Sequence, residues 1–221
     1  MEKPLFPSEY MRITQGYNEG THIESYAIDN AGKDTGISDI YAPFTGIIKR
    51  IYQADANEVW LESIDKVEYP DGTIDYMTIL FAHADNISDL FVGKKVNKGE
   101  IFYKEGTKGN VTGNHCHIEC GQGRFQGSGW YKNSSGYYSI NNNKKPEECL
   151  WIDNSIKILN NHGYNWKSTE KLSTKPVEKV IVSNNPVEKE KIETPIKLKY
   201  VCEKDDLYGV FLNEGDILYI K

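Results

Sequence analysis

The sequence predicts an all-β protein built mostly of antiparallel sheets. Three observations predict it. Apolar and polar residues alternate at period two in several short runs. Tyr, Val, Ile and Thr are common in those runs. No long stretch carries the 3.6-residue period of a helix. The clearest strands are residues 45–52, 57–64, 76–82 and 115–119. Turn chemistry separates them, with Pro70-Asp71-Gly72 leading into strand 76–82 and a second turn at 94–99. A single short helical segment is expected around Ile156 to Asn161.

The chain has 221 residues, enough for one well-formed domain and some extra length. Residues 1–167 read as that domain. From 168 to 195 the composition changes: Lys alternates with Glu, three prolines intervene, and Lys175–Lys179 is loosely echoed by Asn185–Lys189. This is linker composition. Residues 196–221 return to strand-like alternation around a hairpin turn at 212–216. The piece is too short to bury a core alone, so it is expected to dock on the first domain, to self-associate, or to be part of a wall-binding module.

A net charge of −6 argues against binding nucleic acid or an anionic membrane. No apolar run approaches the ~18 residues of a membrane-spanning helix, so no membrane insertion is expected. The N-terminal stretch lacks an apolar run of signal-peptide length, which predicts synthesis in a cytoplasm without a secretion signal. Four cysteines, at 116, 120, 149 and 202, match neither C-x-x-C nor a small disulfide scaffold and are expected to be free thiols.

The chemistry concentrates in five histidines: 22, 83, 115, 117 and 162. In "GNHCHIEC" (113–120) the histidines lie two apart, so on a strand both face one side. Cys116, Ile118 and Cys120 then face the other, apolar side. A nucleophilic Cys116 fits poorly, since it lies between its would-be bases and points away from them. Glu119 shares the histidine face, as a ligand-orienting group or as a solvated rim carboxylate. His22 lies in a glycine-containing stretch, seven residues before Asp29. A hydrolytic zinc centre takes three His or carboxylate ligands and leaves one position for water. His22, Asp29 and one histidine of the pair would supply that set. His83, at the end of an apolar strand, and the remaining histidine would be acid/base groups. His162 reads as a surface or packing residue.

These motifs, in this order, resemble the lysostaphin-type or LytM-like zinc metalloendopeptidases that cut peptidoglycan peptides, a duplicated-hairpin family. His22 with Asp29, then His83, then "GNHCH" (113–117) resemble its first motif, its mid-domain histidine and its closing G-x-H-x-H. "YAPFTGIIKRIY" and "VNKGEIFYKEGTKGNVTGNHCH" are similar to its glycine-marked strands, and the resemblance covers roughly residues 11–150. It implies that His22, Asp29 and His117 hold Zn2+ and that His83 and His115 work on the scissile bond. It implies a groove-lined site in an all-β core, bacterial peptidoglycan as partner, and a phage or prophage endolysin released to the wall by a holin. A non-catalytic wall-binding module and a tail-associated lysin are the alternatives.

One departure is plain. The family spaces its first His and Asp by four residues; here the step is seven, and Tyr26 stands at the fourth position. On one straight strand that step would set the side chains on opposite faces. A turn or bulge between residues 24 and 27 is therefore required, and Glu24 is the competing carboxylate. Residues 63–73 and 121–143 are the expected substrate loops.

Overall fold

The computed structural model describes residues 1–33 and 36–169. The linker beyond residue 169, the C-terminal segment 196–221 and Cys202 lie outside the described residues. The strands are β1 (Tyr10–Gln15), β2 (Ile28–Asn30), β3 (Asp39–Tyr41), β4 (Gly46–Tyr52), β5 (Glu58–Ser63), β6 (Val67–Glu68), β7 (Ile74–Asp75) and β8 (Met77–Ala82), followed by β9 (Lys95–Val96), β10 (Ile101–Lys104), β11 (Cys116–Gln122), β12 (Trp130–Lys132), β13 (Tyr138–Ile140), β14 (Asn143–Lys144) and β15 (Lys157–Asn160). The fold is all-β and predominantly antiparallel. The main sheet runs in the order β15-β1-β2-β11-β8-β5-β4-β9, with β14 also paired to β11. Three two-stranded ribbons, β3–β10, β12–β13 and β6–β7, complete the ordered part.

Strands β8 and β11 occupy the middle of the sheet. All six residues of β8 are buried, which is why its sequence, MTILFA, is a continuous apolar run instead of an alternation. It is covered on both faces. One face carries the main core, where Val59, Leu61, Ile79, Phe81, Cys116, Ile118 and Cys120 are fully buried. The β3–β10 ribbon lies over that face through Ile40, Phe102 and Tyr103, and Phe81 meets Phe102 edge-on with ring centroids 5.1 Å apart. The opposite face holds a smaller cluster, Trp60, Leu80 and Ile140, packed against Trp130 and Phe125. The β12–β13 hairpin is fastened there by the Trp60 indole N–H, which donates to the Gly129 carbonyl at 3.1 Å. The Arg50 guanidinium sits 4.2 Å from the Trp130 ring and adds a cation–π contact.

Cys116, Cys120 and Cys149 are buried free thiols. Burial pushes the Cys116 thiol well above its usual pKa, which removes it as a nucleophile.

The expected helix at 156–161 is not formed. Lys157–Asn160 is strand β15, paired in parallel with β1 at the edge of the sheet. Six residues are too few to hold a helix without tertiary support. The open edge of β1 offers backbone partners instead, and the Asn160 amide donates to the Ile13 carbonyl at 2.7 Å. The only helical elements among the described residues are the 3-10 turns Gly20–His22 and Pro146–Glu148.

Because Cys116 fills core space, Cys116→Ala should cost about 1 kcal/mol of stability in urea unfolding and leave metal affinity unchanged. A fall in metal affinity at unchanged stability would contradict this packing role.

Candidate metal centre and its groove

Strand register builds the site. In the ladder between β2 and β11, His117 is directly opposite Asp29. On its other side His117 is opposite Ala82 of β8. One row across the sheet therefore sets a histidine between a carboxylate and a small residue.

His22 reaches the same point from a different kind of element. It ends the 3-10 turn Gly20–His22 and is buried. The chain then reverses through Glu24, whose φ of 58° lies in the left-handed region, before β2 begins at Ile28. His22 and Asp29 are thus not on one strand, and the seven-residue step puts no constraint of parity on them. Glu24 points elsewhere: its carboxylate accepts hydrogen bonds from the Ser134 hydroxyl and the Ser135 N–H.

The result is a compact ligand set. Asp29 Oδ1 lies 3.3 Å from His22 Nε2 and 3.0 Å from His117 Nδ1. The three ligand atoms fall within 4.8 Å of one another, the only such His/Cys/Asp/Glu group among the described residues. His115 Nε2 is 3.5 Å from the same Asp29 oxygen, and the His83 and His115 rings are 4.6 Å apart.

The far nitrogen of each ring is held as well. His22 Nδ1 meets the Gly16 carbonyl at 3.0 Å, His83 Nδ1 the Lys108 carbonyl at 2.8 Å, and His115 Nδ1 the Gly113 carbonyl at 2.9 Å. His117 Nε2 meets Glu119 Oε1 at 3.1 Å. Oxygens of these kinds only accept, so each outer nitrogen carries the proton and donates it. The inner nitrogens of His22, His115 and His117 are turned toward the same Asp29 oxygen. Such oxygen partners on the far nitrogen are the usual support of metal-bound histidines. The donor set, two imidazoles and a carboxylate with rings locked in orientation, fits a zinc ion.

Glu119 is itself fixed. Its other oxygen accepts from the Ser139 hydroxyl at 2.6 Å, the Ile140 N–H at 2.9 Å, the Ser25 hydroxyl at 3.2 Å and the Asn143 amide at 3.4 Å. Burial opposes its charge, but the His117 and Ser139 hydrogen bonds outweigh burial and hold its pKa below the usual range. The carboxyl of Asp29 behaves the same way, lowered by His117 and His22 against the effect of burial. Between these two carboxylates His117 is raised to about 10, again against burial. His83 is pushed down to about 4, chiefly by burial and then by the charge of His117, so it is a neutral base at pH 7.

His83 follows β8 with a φ of 85°, an uncommon conformation for a residue with a side chain. Backbone bonds hold it there: its N–H donates to the Ala56 carbonyl at 2.7 Å, and its carbonyl accepts from Lys108 at 3.0 Å. Gly106 is wedged alongside. A Cβ there would lie 2.3 Å from the His83 carbonyl oxygen, and Gly106 also exchanges backbone hydrogen bonds with His115 at 3.2 Å.

The cluster opens into a groove of about 480 Å³. Trp130, Tyr137 and Tyr138 of the β12–β13 hairpin form one wall, and Asn110 to Thr112 the other. Of the two expected substrate loops, 121–143 therefore borders the groove. Residues 63–73 do not; they are tied up in the β6–β7 ribbon. His162 lies apart, bonded to Glu19 at 2.9 Å. A larger apolar cavity of about 720 Å³ beside Phe6, Tyr41 and Ile156 holds no ligand cluster. The sequence reading passed over Ser25, Ser139 and Asn143, which cage Glu119, and Glu58, which lines the groove. Only Glu58 had a visible signal, its period-two phase with Trp60 and Glu62 on β5.

Comparison with known proteins agrees in part. No family model matches the chain. It is 31% identical over 179 residues to morphogenesis protein 1 of Bacillus phage B103, covering 75% of this chain and 44% of that protein. The chain therefore spans less than half the length of this curated relative. Among solved structures it is similar to a zinc containing peptidase from Vibrio cholerae, at 20% identity and a TM-score of 0.40, over 54% of this chain and 36% of that one. It is also similar to the catalytic domain of lysostaphin from Staphylococcus simulans, at 20% identity and a TM-score of 0.36, over 57% of this chain and 84% of that one.

Two outcomes are expected. Glu119→Ala should weaken zinc binding roughly 10- to 100-fold by competition titration, because His117 loses the group that sets its orientation. Gly106→Ala should cost about 1–3 kcal/mol in chemical denaturation through the clash with the His83 backbone.

Proposed function

We propose that this chain is a zinc-dependent endopeptidase that hydrolyses peptide bonds in the stem or cross-bridge peptides of bacterial peptidoglycan. The observation that carries the reading is the set of four imidazoles, each with its outer nitrogen pinned to an oxygen, that lines one groove with Asp29 and brings His22, Asp29 and His117 close enough to share an ion. Three of the inner nitrogens gather around the single Asp29 oxygen, and the whole set lines one groove.

His22 Nε2, Asp29 Oδ1 and His117 Nδ1 would hold the ion. A bound zinc ion supplies Lewis-acid polarisation of the scissile carbonyl and lowers the pKa of water toward ~7. The chain supplies the proton traffic. His83 and His115 keep their protons on Nδ1, donated to the Lys108 and Gly113 carbonyls, so each Nε2 is a free acceptor. One of them takes the proton of the attacking water and returns it to the leaving amine. That same proton, held on its Nε2, is what the oxyanion accepts before the amine takes it, while the other histidine, neutral, accepts from the water's second O–H and orients it. The groove wall of Trp130, Tyr137 and Tyr138 gives the extended peptide an apolar and hydrogen-bonding surface.

The relative named morphogenesis protein 1 favours a role in a phage particle, as a tail-associated lysin, over an endolysin set free in the host. Release through a holin belongs to the endolysin alternative. A non-catalytic wall-binding module is disfavoured because all five functional residues are retained.

Turbidity of purified walls should fall with the protein and stay level with added chelator or with His117→Ala. Undiminished lysis in either case would sink the metal mechanism. His83→Ala and His115→Ala should each lower the rate by about 10²- to 10⁴-fold while zinc binding persists.

A further inference from the structure

We propose that Glu58 is a specificity residue that receives an ammonium group of the substrate. The proposal rests on the peptidase reading and adds to it the chemistry of the substrate on one side of the cleaved bond.

Glu58 opens β5 and lines the same groove as the histidines. Its position follows from register. Val59 is opposite Phe81, so Glu58 falls opposite Ala82, which is opposite His117. Glu58, Ala82, His117 and Asp29 form one row across four strands. Neighbouring strands are ~4.8 Å apart, so Glu58 stands about 10 Å from His117 along the row. That is the span of about three extended residues. Ala82, between them, is the smallest side chain that keeps the strand regular, and it leaves the floor of the row open.

The carboxylate is unmatched. Among the described residues it makes no hydrogen bond and no ion pair, and Oε2 is enclosed without any partner. A buried acceptor without a donor is costly, and a protein has little reason to hold one in a ligand groove unless a ligand supplies the donor. Arg50 on the neighbouring strand β4 does not supply it: its guanidinium is stacked over Trp130 and bonded to the Ser128 carbonyl. Burial raises Glu58 to about 7, a group that becomes fully charged when a cation arrives. The wall beside it is aromatic, with Trp130 and Tyr138, which suits the alkyl and cationic parts of an amine-bearing chain. Peptidoglycan peptides offer such amines in two places, the side chain of a diamino acid and the free end of a bridge.

The test uses the full chain and chemically paired substrates. Purified walls are compared with the same walls after N-acetylation. Two synthetic stem peptides then separate the sources, one with its amine on the diamino side chain and one at a bridge terminus. Wild-type kcat/KM should fall roughly 10- to 100-fold on acetylation, mainly through KM, as expected for loss of a charge-assisted contact. Glu58→Gln should begin at the lower value and be indifferent to acetylation. Binding is read separately, by co-sedimentation of the His115→Ala protein with native and acetylated walls, with and without Glu58→Gln. A difference in sedimentation that Glu58→Gln abolishes supports the proposal even if no wall is cleaved, an outcome that would instead overturn the peptidase reading. Equal sensitivity of wild type and Glu58→Gln to acetylation overturns the proposal. So does a Glu58→Gln effect confined to kcat, which would put Glu58 in the chemistry.

Discussion

The register of three strands governs the site. Strand β11 is hydrogen-bonded on one side to β2 and on the other to β8, and that double ladder sets His117 between Asp29 and Ala82. A slip of one residue would turn His117 and Glu119 into the core and bring Cys116 and Ile118 into the groove. The slip is strongly opposed, because Cys116, Ile118 and Cys120 are fully buried among aromatic and branched side chains on the far face. Burying three apolar groups on one side is thus what aims two polar groups on the other. The candidate site depends on the packing of residues that never touch it.

Within that frame the electrostatics are self-consistent. Asp29 and Glu119 flank the His117 ring on opposite nitrogens. Two buried carboxylates without a cation between them would be expensive. A protonated imidazole satisfies them here, and a divalent ion held at Nδ1 would take over that balance. Glu119 tolerates burial because five donors reach its two oxygens. Those donors come from the segment before β2, from β13 and from β14, so the orientation of one ligand draws on three separate parts of the chain.

Much of this was legible in the sequence, for reasons that differ by element. Strands 45–52, 57–64 and 76–82 match β4, β5 and β8 to within one residue at each end, since period-two alternation and bounding turns mark such strands well. The division of "GNHCHIEC" into a polar and an apolar face needed only strand geometry. The segment 156–161 misled, because its six residues are compatible with either period and the unpaired edge of β1 decided the outcome. The gap between His22 and Asp29 was legible as a problem but not as a solution: the 3-10 turn and the left-handed Glu24 are set by contacts with the 133–135 loop, over a hundred residues away. The cage around Glu119 is equally non-local. Ser139 and Asn143 carry no signal on their own strands that they will meet a carboxylate on β11.

The same row logic gives the groove its asymmetry. On the Asp29 side of His117 the chain crowds the sheet with His22 and its turn. On the β8 side the row drops to Ala82 before it rises again at Glu58. On the proposed reading, a peptide laid across the sheet would run over Ala82 and pass Glu58 as it extended. Leu80 and Trp60, one row further along, are apolar and covered by the β12–β13 hairpin, so they offer no competing polar contact. Among the described residues of these rows the one polar side chain not already engaged is Glu58, and the open floor beside it would leave that carboxylate to a ligand's donor. Position in the sheet, more than side-chain chemistry alone, is what separates an unmatched acid from an ordinary surface one.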